Sequence, residues 1–192
     1  KKFLFAPGIH RSPLQLSLHL TYSEWLLINN QRLEAFNTLN EAMLNIPGQI
    51  PAIIDFMVPI RFTSSEIEQQ LAGISTAWYE LGKRLEKDKK LDKAELFYRK
   101  SIEIAGESEA QPSPFSSLYS LYQQQKDEEK ALEVLRLGIK YLPDYAQFRV
   151  KMGDYYLKQG IEYRAIQEYT QALRIKPDDI SVRRKLETME QK

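Results

Sequence analysis

The sequence predicts an all-α fold built from repeated helix–turn–helix units, and three observations carry that prediction. Similar residues return at a fixed distance: Ala131 and Ala165, Pro143 and Pro177, Tyr122 and Tyr156, and Leu118 and Met152 each lie 34 residues apart. A fixed period of this kind marks a helical repeat array. Within a unit, apolar residues recur at three- and four-residue steps, as in Leu132, Leu135, Ile139 and Leu142, which is the period of one helix face. Polar turns (LEKDKKLD, QQQKDEE and LKQGIEY) cut each unit in two. Pro143, Pro177 and the AGES stretch supply the stop signals behind the second half.

Bulk properties narrow the function classes. The chain has 192 residues, 43 % apolar and 28 % charged, an ordinary balance for a folded chain rather than a disordered one. A net charge of +1 argues against a dedicated nucleic-acid binder, which carries a basic excess to displace counterions from phosphates. With no cysteine, disulfides, thiolate zinc sites and a cysteine nucleophile are excluded. No stretch reaches the roughly 20 apolar residues that span a bilayer.

Taken in order, residues 1–15 read as a leader segment. Its apolar run in KKFLFAPGIH is too short for a signal-peptide core. The chain opens at Lys1 rather than Met, so we expect a fragment or mature form of something longer. Residues 16–49 place Tyr22, Ser23, Leu26, Ala35, Leu39, Ala42 and Pro47 on the repeat positions and read as a divergent unit with its turn at 29–31. Leu27 and Ile28 should face outward there and want cover. Residues 50–74 break the period. QIPAIIDFMVPIRF, punctuated by Pro51 and Pro59, reads as an irregular or short helical connection. Thr63 and Glu66 form a capping-box signature opening a helix at SEIEQQLAGI, expected to run straight into the helix carrying Trp78. Regular units follow at 75–108, 112–145 and 146–179, with three extra residues absorbed in the loop near 109–111. Residues 180–192 read as a capping helix, started by Asp178 or Asp179, with Val182, Leu186 and Met189 on its apolar face.

The three regular units resemble the tetratricopeptide repeat, whose signature is W-x2-L-G-x2-Y, then A-x3-F, then a small residue, then P. The first supplies Trp78, Leu81, Gly82, Leu85, Ala94, Tyr98 and Ser101; the second Phe115, Leu118, Tyr119, Tyr122, Ala131, Leu135, Gly138 and Pro143; the third Met152, Gly153, Tyr156, Ala165, Tyr169, Ala172 and Pro177. Tyr119 replaces the usual small residue, Arg149 the first aromatic, and Gly106 the proline; glycine can still close a helix as a C-terminal cap. Small residues (Gly82, Gly153, Ala94, Ala165) should let the paired helices approach while Trp78 and Tyr98 fill the gaps. The resemblance implies a right-handed α-solenoid with a C-terminal capping helix.

Candidate chemistry is sparse. The only histidines are His10 and His19, and no metalloprotease, nucleophile-elbow or phosphate-loop motif is present. We expect no enzyme, no cofactor and no metal site. Acidic pairs such as Glu128–Glu129 and Asp178–Asp179 sit at helix starts and read as capping groups. Tyr119, Tyr122, Tyr155, Tyr156, Tyr163 and Tyr169 read mostly as core, and the run KRLEKDKKLDK as a solvated turn. The resemblance implies a concave groove lined by the first helix of each unit. By position its residues are Tyr79, Lys83 and Lys87; Ser113, Ser117, Ser120 and Gln124; Gln147, Lys151, Asp154 and Lys158; and Arg184 with Lys185 on the last helix. Chaperone-tail binders of the family clamp a terminal carboxylate with Lys and Asn. Here Tyr79, Lys83 and Ser117 break that set and Lys151 stands alone in it. The leading expectation is a non-enzymatic module that binds a peptide or protein segment in the groove, with no nucleic-acid partner. The alternative is the soluble accessory domain of a larger bacterial membrane protein, such as a surface-polysaccharide (O-antigen) ligase or polymerase, tethered through upstream residues. A third option is a domain that shapes a neighbouring enzyme's site. Cytoplasmic and periplasmic locations both stay open.

Overall fold

The computed structural model describes residues 14–58, 62–71 and 73–190. The leader up to position 13, with His10, and Pro59 fall outside them. Among the described residues there is no strand, and none of the helices is long and apolar enough to cross a membrane. The all-α helical class predicted from the sequence is therefore what the structure shows. The chain forms two compact units, Lys1–Ile104 and Ala105–Lys192.

In the first unit, α1 (Leu16–Ile28) and α2 (Arg32–Asn45) form a helix pair. Asn30 turns the chain between them at φ 59°, a left-handed conformation that Asn tolerates better than most residues. Leu26, Ala35, Phe36, Leu39, Ala42 and Met43 are buried. Ser23, also buried, donates its hydroxyl to the Ala35 carbonyl at 3.3 Å. Ile28 is 80 % exposed, as expected, whereas Leu27 is half-buried. A 3-10 turn, Pro47–Gln49, leads into α3 (Ile50–Met57). Of the two forms expected for this connection, irregular or short helical, it takes the helical one. Pro51 sits in its first turn, where the missing N–H costs nothing, and Ile50, Ile53, Ile54 and Met57 form one buried face.

Helix α4 (Ser64–Gln70) carries the predicted capping box. The Glu66 N–H donates to Thr63 Oγ1 at 3.2 Å, and the Thr63 N–H to Glu66 Oε2 at 2.7 Å. Arg32 grips the same carboxylate through Nε (2.6 Å) and Nη2 (2.9 Å). The expectation that α4 runs on into the Trp78 helix is wrong. Leu71 leaves the helical region at ψ 124°, and α5 (Ser75–Lys87) starts afresh behind Gly73, a residue that weakens helix propagation by about 1 kcal/mol.

The pair α5 and α6 (Leu91–Ala105) shows how the repeat packs. Trp78 meets Phe97 edge-on at 5.2 Å. A Cβ on Gly82 would lie 2.6 Å from the Tyr98 ring, so only glycine lets the first helix accept that ring. Tyr98 is fully buried, and its hydroxyl donates to Glu86 at 2.6 Å. Ser101, also buried, donates to the Ser75 carbonyl at 2.9 Å.

The second unit contains α7 (Pro112–Gln125), α8 (Glu128–Tyr141), α9 (Ala146–Lys158), α10 (Glu162–Ile175) and α11 (Ile180–Glu190). Gly106, at φ 57°, closes α6 as expected of a glycine cap. In the α9–α10 pair, a Cβ on Gly153 would lie 2.6 Å from the Tyr169 ring, the same arrangement as Gly82 with Tyr98. Ala131, Ala165 and Ala172 are buried at the remaining small positions, and Gly138 makes room for Phe148, 2.8 Å from where its Cβ would be. Helix α11 lays Val182, with Leu186 and Met189, on the core of Val150, Ala165, Tyr169 and Ala172. Of the two candidate caps, Asp179 does the work: its Oδ1 accepts the Val182 N–H at 3.2 Å.

Candidate peptide-binding face

Each first helix has a buried side, fixed by its apolar residues, and an outer stripe. On α7, Pro114, Phe115, Leu118, Leu121 and Tyr122 point inward. Ser113, Ser117, Ser120 and Gln124 follow at steps of four, three and four, which places them on one stripe of the opposite side. On α9 the same steps give Gln147, Lys151, Asp154 and Lys158, the equivalents 34 residues on. The α9 stripe also meets a ring that lies off the α7 stripe, on the flank of that helix. Lys151 Nζ lies 4.5 Å from the centroid of the Tyr119 ring on α7, and Phe115 meets Phe148 at 5.9 Å beneath them.

The charges on this face are partly matched. Lys158 donates to Glu128 at 2.6 Å, and Gln159 to the same carboxylate at 2.9 Å. That pairing raises the Lys158 ammonium and lowers the Glu128 carboxyl relative to their ordinary ranges. Glu128 is thus not the helix cap expected of it; Asp127 caps α8, accepting the Lys130 N–H at 3.0 Å. Asp154 accepts from the Tyr169 hydroxyl at 2.5 Å and from Lys185. Burial and that carboxylate push the Tyr169 phenol well above its usual value. Burial, first, and the nearby Asp154 charge also raise Tyr119. Ser120 donates to the Ser116 carbonyl at 2.9 Å, which leaves its oxygen free to accept.

Not every expected groove residue joins this cluster. Val182, Leu186 and Met189 turn one side of α11 to the core. Arg184, two residues past Val182, is about 200° round the helix from it and exposed, so it projects away while Lys185 reaches Asp154. In the first unit, Tyr79, Lys83 and Lys87 lie on α5. Tyr79 is half-buried against Tyr98, 5.7 Å away. Lys83 is held by Glu80 at 2.9 Å, 5.4 Å above the Tyr79 ring. Lys83 and Lys87 border a shallow cleft of ≈ 190 Å³ with Pro51, Ile54, Asp55, Glu80 and Arg84, where Arg84 is tied to Asp55 at 3.0 Å.

The tyrosines divide. Tyr122 and Tyr169 are fully buried, Tyr119, Tyr155 and Tyr156 half-buried, and Tyr163 is 61 % exposed, which corrects the reading of that residue as core. Tyr119, expected in the core, stands at the face instead. Its signal was present: Tyr119 stands in the register of Gly82 and Gly153, so its ring has no glycine-made slot to occupy. Among the described residues, no group of acidic and histidine side chains is arranged to hold a metal.

The tetratricopeptide-repeat family profile matches residues 75–108 and 146–179. No curated protein sequence matches significantly. Among solved structures, YrrB, described as a tetratricopeptide-repeat protein with an unusual peptide-binding site, is 13 % identical with a TM-score of 0.51, over 93 % of this chain and 95 % of its own. A chain of the APC/C hetero-tetramer Cut9–Hcn1 is 14 % identical with a TM-score of 0.54; the match covers 96 % of this chain but 38 % of that longer one. MamA is 13 % identical with a TM-score of 0.49, over 92 % and 87 % of the two chains. At these identities the likeness to YrrB and to the Cut9–Hcn1 chain speaks to the fold. With the profile matching two helix pairs that share one glycine–tyrosine crossing, this chain is a helical repeat protein that carries tetratricopeptide repeats at residues 75–108 and 146–179.

Proposed function

We propose that the chain is a non-enzymatic protein–protein interaction module that holds a peptide or protein segment along the outer stripes of its first helices. One observation carries the reading. The stripes on α7 and α9 occupy the same register, and together they present hydroxyls, amides and the Lys151 ammonium, while Lys158 and Asp154 are already paired. Such groups suit hydrogen bonding to an extended backbone, and helices already fixed by packing bind with little ordering cost. The peptide-binding site named for YrrB is a precedent on the same fold.

The test pans a random peptide library against the full chain, then cross-links selected peptides through a photo-reactive group and maps the adducts by mass spectrometry. Adducts on α7 and α9 are expected, at Ser117, Ser120, Gln124 or Lys151. Adducts confined to the outer sides of α8 and α10, or no enrichment of any peptide, would contradict the proposal.

A further inference from the structure

The structure assigns an acidic peptide segment to this face, with Tyr119 and Lys151 as its anchor; the inference rests on the peptide-binding reading above and names the chemistry of the ligand. The middle unit carries a displaced ring. Residues 82, 119 and 153 share one register position on the first helix and carry Gly, Tyr and Gly; their counterparts on the second helix, 98, 135 and 169, carry Tyr, Leu and Tyr. In the outer two repeats the ring belongs to the second helix, is fully buried and has its hydroxyl on a carboxylate. In the middle unit the ring belongs to the first helix and is half-buried, and among the described residues its hydroxyl donates to nothing.

Charge decides which ligand that hydroxyl suits. Lys151 lies over the ring, half-buried, and among the described residues no carboxylate pairs with it. Lys158 and Asp154 both lie near enough to act on the Tyr119 hydroxyl, but Lys158 is bound to Glu128 and Asp154 is taken by Tyr169 and Lys185. The acidic groups around the site are therefore engaged while one cation is not. Residues 110–125 contain no charged residue at all, so α7 offers nothing that repels an acid or neutralises Lys151. A carboxylate placed here meets the Lys151 ammonium and the Tyr119 O–H together, a charge-assisted pair of donors. The Ser120 oxygen beside them accepts a backbone N–H of the same segment. A basic segment would face Lys151 and Lys158 with no unpaired carboxylate to receive it.

The test measures fluorescence anisotropy of labelled hexaglutamate, hexalysine and a Ser-Gly hexapeptide on the full chain, at low and high salt. Hexaglutamate should bind best and weaken as salt screens the charges. Lys151→Ala should weaken it about tenfold, the loss of one charge-assisted contact. Tyr119→Phe should weaken it several-fold without changing the melting temperature, and Arg136→Ala on the outer side of α8 should change nothing. If the neutral or basic peptide binds the α7–α9 face as well as hexaglutamate does, or if Lys151→Ala leaves affinity intact, the acidic assignment is overturned and peptide binding stands. If no peptide binds, both readings fall.

Discussion

In residues 75–108 the first helix gives up its side chain at Gly82, and the second supplies Tyr98; residues 146–179 do the same with Gly153 and Tyr169. In residues 112–145 the first helix keeps a ring, Tyr119, and the second supplies Leu135. The glycine–tyrosine pairing of the two flanking repeats is absent here, where both register positions carry large side chains. What changes is where the ring ends up. Carried by the second helix it is core, with its hydroxyl bonded to a carboxylate. Carried by the first it is half on the surface, beneath a lysine. The family profile matches the two glycine–tyrosine repeats and not the unit between them, so the departure from the repeat coincides with the face proposed to bind.

The harshest way to break this comparison is Gly153→Val. Its Cβ would sit 2.6 Å from a ring with no exposed side to retreat to, so we expect a loss of about 3 kcal/mol in urea unfolding. Tyr119→Val, the same residue in the same register, should cost less than about 1.5 kcal/mol, because the half-buried ring it removes leaves a gap open to water. Equal losses would mean that the two crossings are not different in kind. Next in size, Tyr169→Leu leaves a closed void and should cost about 2 kcal/mol. Tyr169→Phe removes only the bond to Asp154 and should cost about 1 kcal/mol; circular-dichroism melts of the two variants separate the ring's contribution from the hydroxyl's.

The smallest effect concerns a helix start away from both crossings. Arg32 first, then the capping box, hold the Glu66 carboxyl at about 2, below its ordinary 4.5. A carboxyl depressed on folding stabilises the native state above its ordinary value and loses that contribution as pH falls through the folded one. Stability should therefore decline between about pH 4.5 and 2 by under about 1 kcal/mol on this account, since the pair is solvent-facing. Glu66→Gln should flatten that part of the profile, and an unchanged profile would remove Glu66 from it.

Much of the architecture was legible before any coordinates. The 34-residue period, the buried small residues Ala94, Ala131 and Ala165, the Thr63–Glu66 box and the Gly106 cap are local or periodic, and such signals survive in one dimension. Helix α3 was harder to see because Pro51 and Pro59 read as breakers, although a proline in a first turn starts a helix as readily as it ends one. The break at Leu71 depends on one backbone angle that no residue type dictates. The ion pairs that organise the face, Lys158 with Glu128 and Lys185 with Asp154, span about thirty residues and exist only once the helices are stacked. Tyr119 was visible as a departure from the repeat; that the departure sets a ring under Lys151 was not.

The central claim is that carrying the ring on the first helix rather than the second turns a core group into a binding group. The most direct measurement returns the ring to the second helix, with Tyr119→Gly and Leu135→Tyr combined in the full chain, and compares hexaglutamate affinity and unfolding free energy with the parent. The account predicts a stably folded chain, because Gly with Tyr is the pair that already packs at 82/98 and 153/169, together with loss of peptide binding. Binding retained by a stably folded double variant would contradict it.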